Sequence, residues 1–277
     1  MVYNSLCAMN CHYRFYELED FFKNASKLGF HYAEIWTGPQ HFYMDYQGYE
    51  DVNKLTSLEK KYHLQIVSIC PEQTNPKPNN MAIKGLAQER VYRYFCNAVD
   101  VAKQVGAKLI VITSGWAFHN EYRKEAFKRS VQMIKRVCEY ANKSNIMVAI
   151  EALQKFESNI ANTRFDLKEI VSEVDNGNLK ICLDLGAMAG ADETIPQYFD
   201  TFGKEIIHSH FVDGDPIGHL AWGDGTRNMK NDLSVFHSCG YEGVLSLESV
   251  NERYYEYPFE ADEQTMKLYR QITEGKL

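Results

Sequence analysis

The sequence has no excess of positive charge and no long apolar run. Lysine and arginine number 30 against 37 aspartates and glutamates, which gives a formal net charge of −7. Binding to nucleic acid needs clustered positive charge, so no nucleic-acid partner is expected. The apolar runs fall well short of the roughly 20 residues of a membrane-spanning helix, so no membrane partner is expected. The first residues also lack the uninterrupted apolar stretch of a signal peptide, and we expect a cytoplasmic protein.

Paired cysteines of the kind that bind structural zinc are also missing. The chain has seven cysteines, and no two of them form a C-x-x-C pair. Several stand within apolar patterns, namely Cys70, Cys138 and Cys182. We therefore expect reduced and buried thiols.

Short apolar runs alternate with amphipathic helical patterns along the chain, and no low-complexity segment interrupts them. The runs predict strands at residues 6–9, 32–36, 65–69, 108–113, 147–150, 179–183, 206–211 and 244–247. The patterns between them predict helices at residues 16–28, 51–62, 85–105, 121–144, 165–174, 194–202, 231–238 and from 260 onward. A glycine follows several of these helices, where a left-handed C-cap is favourable: Gly29, Gly106, Gly177 and Gly240.

Eight successive strand–helix units predict an α/β protein with a single domain, residues 1–277, folded as a (β/α)8 TIM barrel. A doubly wound sheet is the alternative, and it usually carries a glycine-rich phosphate loop after its first strand. Residues 7–12, CAMNCH, contain no glycine, so we favour the barrel. In a barrel, functional groups stand at the carboxyl ends of the strands.

Acidic and imidazole side chains stand at the ends of four predicted strands. They are Glu151, Asp184, His210 and Glu248, each after a short apolar run. A barrel brings these strand ends to one mouth. Carboxylate oxygens together with an imidazole suit a catalytic divalent ion better than a structural one. The sequence therefore predicts a metal site at this mouth.

Several segments resemble one known family. They are EALQKFESN at 151–159, CLDLG at 182–186, HSHFVD at 208–213, GHLAWGDG at 218–225 and GYEGVLSLE at 240–248. These segments are similar to the sugar isomerase/epimerase barrels related to xylose isomerase. Two others, EIWTGPQH at 34–41 and PEQTNPKPNN at 71–80, resemble the fructoselysine 3-epimerase subgroup most. The resemblance covers nearly the whole chain.

The resemblance implies that Glu151, Asp184, His210 and Glu248 hold one divalent metal ion per chain. Manganese is the first choice, with cobalt, nickel, magnesium or zinc as alternatives. The implied activity is inversion of C3 of a ketose or ketose-amine through a cis-enediolate. Inversion needs a proton removed from one face and returned to the other, so we assign Glu151 and Glu248 also as the acid/base pair.

The predicted partner is a small sugar, and we assign its contacts to five further residues: Glu157, His219, Trp36, Glu72 and Asn75. A loop-bracing role for His219 and simple packing for Trp36 are the alternatives. Many ketose epimerases have a histidine at the position of Met188, so we expect a bulkier, less polar substrate end there. The aromatic runs at 41–46 and 254–259 suggest either a lid or a subunit contact, and the second of these implies a homo-oligomer.

Four other functions are alternatives to a sugar epimerase. An aldose–ketose isomerase or an inosose dehydratase would use the same metal platform with different proton delivery. A DNA repair enzyme of the endonuclease IV type would need further histidines at strand ends, but the third and fourth strands end at Cys70-Pro71 and Thr113-Ser114. A non-catalytic ligand-binding barrel is the remaining alternative.

Overall fold

The computed structural model describes residues 3–73 and 78–276, and within them the parallel strands close into a barrel in chain order. The strands are β1 Leu6–Met9, β2 Tyr32–Trp36, β3 Gln65–Cys70, β4 Leu109–Thr113, β5 Met147–Glu151, β6 Leu179–Asp184, β7 Ile206–His210 and β8 Leu245–Ser246. Pairing of Leu6 with Leu245 joins the first strand to the last. The predicted TIM barrel is confirmed, while the extent of the single domain, residues 1–277, stays a prediction.

Helices surround the barrel between the strands. They are α1 Leu18–Lys27, α2 Asn53–Tyr62, α3 Ala87–Val105, α4 Arg123–Asn142, α5 Arg164–Val174, α6 Leu185–Gly190, α7 Ile195–Phe202, α8 Met229–Ser238 and α9 Pro258–Thr273. Local sequence explains several of their ends. Thr163 and Asp166 form a reciprocal capping box at the start of α5, and this satisfies backbone N–H groups that have no helical partner. None of the described helices is long and apolar enough to cross a membrane.

The helices differ from the sequence prediction in two places. The short helix α6 was not predicted, because its six residues, LGAMAG, are too few and too small to show an amphipathic period. Gly177 does not cap α5 in the left-handed conformation. Asp175 takes that place with φ of 47°, since a short polar side chain tolerates this region. Gly106 behaves as predicted, with φ of 79° after α3.

The buried residues separate into an outer layer and a barrel interior. The outer layer lies between strands and helices and contains branched strand residues such as Ile35, Ile110 and Ile150. The interior is filled by a smaller group: Met9, Cys11, Cys70, Leu109, Val111, Ala149 and Cys182. The cysteines are free and six of the seven are buried, as the sequence predicted. Small interior residues below the mouth leave space for polar side chains above them.

Candidate active site

The strand ends bring the four predicted metal ligands together. Glu151 and Asp184 are the last residues of β5 and β6, His210 ends β7, and Glu248 stands just beyond β8. One ligand atom from each lies within 4.8 Å of the others. The Nδ1 atom of His210 is 2.8 Å from Glu151 Oε2, 3.0 Å from Glu248 Oε2 and 3.7 Å from Asp184 Oδ2. Glu151 and Asp184 are only 5% and 3% exposed.

The hydrogen bonding of His210 fits a cation at this point. Its Nε2 lies 3.5 Å from Glu34 Oε1, and in the tautomer that donates this bond Nδ1 carries a lone pair. Both His210 Nδ1 and Glu151 Oε2 are buried without a hydrogen-bond partner, although they face each other. Three converging carboxylates repel one another unless positive charge lies among them. Burial lowers the pKa of His210, but Cys182, Glu248 and Glu151 raise it well above its ordinary value, so the cluster attracts a cation, either a proton on His210 or a metal ion in its place. The donor set therefore fits a divalent metal ion.

The two acids on β5 and β6 differ in their protonation. Burial raises the pKa of Glu151 to about 8, with repulsion from Glu248 and Asp184 acting in the same direction. Burial would also raise the pKa of Asp184, but the imidazoles of His219 and His210 lower it well below its ordinary value. Glu151 is thus able to carry a proton where Asp184 stays ionised.

A second layer of polar residues supports His210 from inside the barrel. Glu34 on β2 accepts a hydrogen bond from His208 on β7 at 2.7 Å, and all three side chains are buried. Burial alone would raise the pKa of Glu34, but His208 and His210 lower it well below its ordinary value. The ionised carboxylate fixes the ring of His210 with Nδ1 toward the mouth. Glu34 thus points into the barrel, where it contacts His208 and His210.

His219 lies against the carboxylates instead of standing free in the cavity. Its Nε2 is 2.8 Å from Asp184 Oδ2 and 3.3 Å from Glu248 Oε2. Burial lowers its pKa, but Asp184 and Glu248 raise it to about 10. The loop that carries His219 can come this close to α6 only with glycine at position 186, because a Cβ there would lie 2.6 Å from the Gly218 carbonyl oxygen. The structure thus gives His219 the bracing contact that was its alternative role, beside its place on the cavity wall.

The loop that carries His219 is organised by Asp213, a residue not predicted from the sequence. Its Oδ1 accepts hydrogen bonds from the backbone N–H groups of Gly214 and Arg227 at 2.8 and 3.0 Å. Its Oδ2 accepts from Gly223 and Gly225, both at 3.0 Å. One carboxylate therefore holds both ends of the loop. The signal in the sequence was an aspartate followed by a glycine-rich stretch, which is also common in ordinary turns.

A cavity of about 890 Å³ opens above the four ligands. Four of the five predicted substrate contacts line it, namely Trp36, Glu72, Glu157 and His219. Asn75 lies outside the described residues. Burial raises the pKa of Glu157, and its Oε2 accepts a hydrogen bond from the backbone of Gln154 at 3.0 Å.

The expected role of Met188 is wrong. Its side chain is 2% exposed and packs in the core on α6, while the neighbouring Ala187 faces the cavity. The helical turn that follows Asp184 was not predicted, and this turn carries position 188 away from the wall. Other cavity residues were not predicted. Arg14, Phe15 and Asn251 lie in no motif, and Gln40, Gln73 and Phe156 lie within the segments at 34–41, 71–80 and 151–159 but have no charged or metal-binding group that would mark them.

The sequence and the fold are similar to those of known proteins. Residues 22–272 match the family described as Xylose isomerase-like TIM barrel. The fructoselysine 3-epimerase of Shigella flexneri is 27% identical over 246 residues, covering 87% of this chain and 88% of that protein. The inosose isomerase of Bacillus subtilis (strain 168) is 25% identical, covering 68% of this chain and 70% of that protein. A solved D-tagatose 3-epimerase-like protein has a TM-score of 0.79 at 20% identity, covering 99% of this chain and 100% of that one.

These similarities confirm the resemblance stated from the sequence, including the place of fructoselysine 3-epimerase among the similar proteins. They also confirm that the protein is an enzyme of the isomerase or epimerase type. The family match includes all four residues at the barrel mouth. Because it spans residues 22–272, the chain belongs to the xylose isomerase-like TIM barrel family.

Proposed function

We propose that this protein is a divalent-metal-dependent sugar epimerase that inverts C3 of a ketose or of a ketose-amine such as fructoselysine. The convergence of Glu151 and Glu248 on His210 Nδ1, at 2.8 and 3.0 Å, carries the proposal. It places Glu151 and Glu248 on the wall of one cavity together with Asp184, and His210 is buried beside them. Similarity to a fructoselysine 3-epimerase and to a D-tagatose 3-epimerase-like structure supports the choice of reaction.

The metal would be held by Glu151, Asp184, His210 and Glu248, and manganese is our first choice. When bound, the ion supplies Lewis-acid stabilisation for negative charge that develops on the substrate oxygens. Glu34 keeps the ring of His210 in place through its contact with Nε2. His219 neutralises part of the charge of Asp184.

The two glutamates would perform the proton transfers. Inversion of a carbon beside a carbonyl removes the proton from one face and adds one to the other face, and one carboxylate cannot reach both. Glu151 comes from the end of β5 and Glu248 from beyond β8, so the two approach the cavity from different strands of the ring. One ionised carboxylate takes the C3 proton, the substrate becomes a cis-enediolate, and the other carboxyl group returns a proton from the opposite side.

Inosose isomerase among the similar proteins makes a second candidate worth keeping. An aldose–ketose isomerase or an inosose dehydratase would use the same carboxylates, with the proton delivered elsewhere. An isomerase returns the proton to the adjacent carbon, and a dehydratase expels a hydroxyl group as water. The position of the transferred hydrogen therefore distinguishes these reactions.

The experiment is incubation of the manganese-loaded enzyme with fructoselysine, fructose or tagatose in deuterium oxide. We expect the C3 epimer, with deuterium at C3, measured by mass spectrometry and NMR spectroscopy. Deuterium at C1 or C2 of a new aldose would favour the isomerase. An epimer that retains the original C3 hydrogen would contradict the two-base scheme.

A further inference from the structure

The cavity contains an arginine that the proposed reaction does not use. Arg14 follows β1, and its Nε donates a hydrogen bond to the Cys11 carbonyl oxygen at 3.2 Å. Its guanidinium carbon lies 5.2 Å from the centre of the Trp36 ring and 4.3 Å from that of Tyr255. The amide of Gln40 donates to the Arg14 carbonyl oxygen at 3.0 Å. The side chain is thus fixed between two aromatic rings.

The guanidinium of Arg14 has no acidic partner in the part of the chain that the structure describes. Across residues 3–73 and 78–276, no carboxylate oxygen lies within 4.0 Å of its nitrogens, and its two terminal nitrogens donate to no acceptor there. Three of the acids that line the cavity, Glu151, Asp184 and Glu248, are the proposed metal ligands and do not pair with Arg14. A fixed guanidinium with free donors beside apolar rings is suited to a planar or tetrahedral anion, which it binds through two parallel hydrogen bonds.

One ligand can meet both charged regions, because Arg14 and the metal ligands Glu151 and Glu248 line the same cavity. Phe15 and Phe156 also line the cavity although they are 76% and 73% exposed, and a volume of about 890 Å³ is in the range of cavities that hold drug-sized ligands. A sugar with an apolar extension fits such a space better than a sugar alone.

We propose that Arg14 forms an anion-binding subsite at the outer part of this cavity, and that the substrate is a sugar derivative carrying a carboxylate or a phosphate at the end remote from Glu151 and Glu248. This inference rests on the proposed function for the sugar and adds the charge of its substituent. The rings of Trp36 and Tyr255 limit the access of water to the guanidinium, which strengthens its interaction with an anion. Fructoselysine, with its free carboxylate, satisfies this requirement.

The test is binding to the manganese-loaded enzyme, measured by calorimetry with two matched pairs of probes. The first pair is fructoselysine and its carboxamide, which differ only in the negative charge. The second pair is fructose 6-phosphate and fructose. The variant is Arg14→Gln, and the matched control is Arg253→Gln, which removes an exposed arginine two residues from the cavity residue Asn251.

We expect wild type and Arg253→Gln to bind the anionic member of one pair about 10- to 100-fold more tightly than its neutral partner. Arg14→Gln should reduce that ratio to within about twofold. The pair that shows the effect identifies the anion as carboxylate or phosphate. The wild-type measurement alone can overturn the proposal, if the anionic and neutral members of both pairs bind equally tightly. A preference for the anionic member that persists in Arg14→Gln would also overturn it.

Failure of this inference is distinguishable from failure of the proposed epimerase activity. A preference for the anion that depends on Arg14, without deuterium at C3 of any probe, supports the subsite and contradicts the reaction. Deuterium at C3 of free ketohexoses, without any preference for anions, supports the reaction and contradicts the subsite.

Discussion

Glu34 illustrates how a single buried residue acts through another. It does not line the cavity, yet its carboxylate binds His208 and faces Nε2 of His210. Replacement of Glu34 by glutamine keeps the shape and removes the charge that orients the ring. We expect manganese affinity to fall by about 10- to 100-fold, measured by competition with a chelating dye.

Glu50→Gln is the control for this change, because Glu50 is a partly exposed residue paired with Lys54. Its manganese affinity should equal that of the wild type. If Glu34→Gln folds normally and binds manganese as tightly as wild type, Glu34 is only a packing residue.

Glu151 and Glu248 are assigned two roles, and mutation can separate them. Glu151→Gln and Glu248→Gln should each lower kcat by at least about 10²–10⁴-fold even at saturating manganese, because a proton-transfer group is lost. Asp184→Asn is the matched control, since Asp184 is assigned as a ligand only. Its activity should recover substantially when manganese is raised. Recovery of both glutamate variants by added metal to the same extent would show that neither transfers a proton.

At the scale of one element, the loop from 213 to 227 depends on a single carboxylate. In Asp213→Asn one oxygen becomes an NH2 group, which then faces two backbone N–H donors that have lost their acceptor. We expect the free energy of unfolding to fall by about 1–3 kcal/mol, measured by urea denaturation. kcat/KM should fall too, because the loop positions His219.

The control for this prediction is Asp215→Asn on the same loop, where the side chain is exposed. It should change stability by less than about 0.5 kcal/mol. Equal stability of the two variants would mean that the four hydrogen bonds of Asp213 contribute little beyond what water supplies.

Strands and helices with a strong hydrophobic period could be predicted from the sequence, but close contacts between loops could not. The strand that ends at Asp184 follows from its apolar run, and parallel strands bring such ends together. The helix that starts at Leu185 leaves no such trace, so the direction of Met188 was predicted wrongly. Arg14 gave no signal because its partners, Trp36 and Tyr255, come from distant parts of the sequence. Only the folded chain shows that contact.

At the scale of the whole molecule, the barrel places aromatic residues on its surface. Tyr43, Tyr257 and Phe259 of the two aromatic runs are exposed large apolar side chains, together with Phe15 and Phe156 at the cavity. Exposed aromatic residues are enriched at protein interfaces. The homo-oligomer expected from the sequence stays a prediction that sedimentation analysis can decide.

The metal site should also contribute to the stability of the entire fold. Its ligands come from four strands in the second half of the barrel, and they converge only when the barrel is closed. An ion that binds only the folded state stabilises it by about 2.7 kcal/mol at a concentration of 100 Kd. Removal of the metal with a chelator should therefore lower Tm by about 5–10 °C and abolish activity, and manganese should restore both.

Asp184→Asn serves as control in the same calorimetric scan, because it should show a smaller metal-dependent shift in Tm. Full activity and an unchanged Tm in a preparation free of metal would contradict both the assigned ligands and the proposed chemistry, since the three carboxylates would then be stable together without a metal ion.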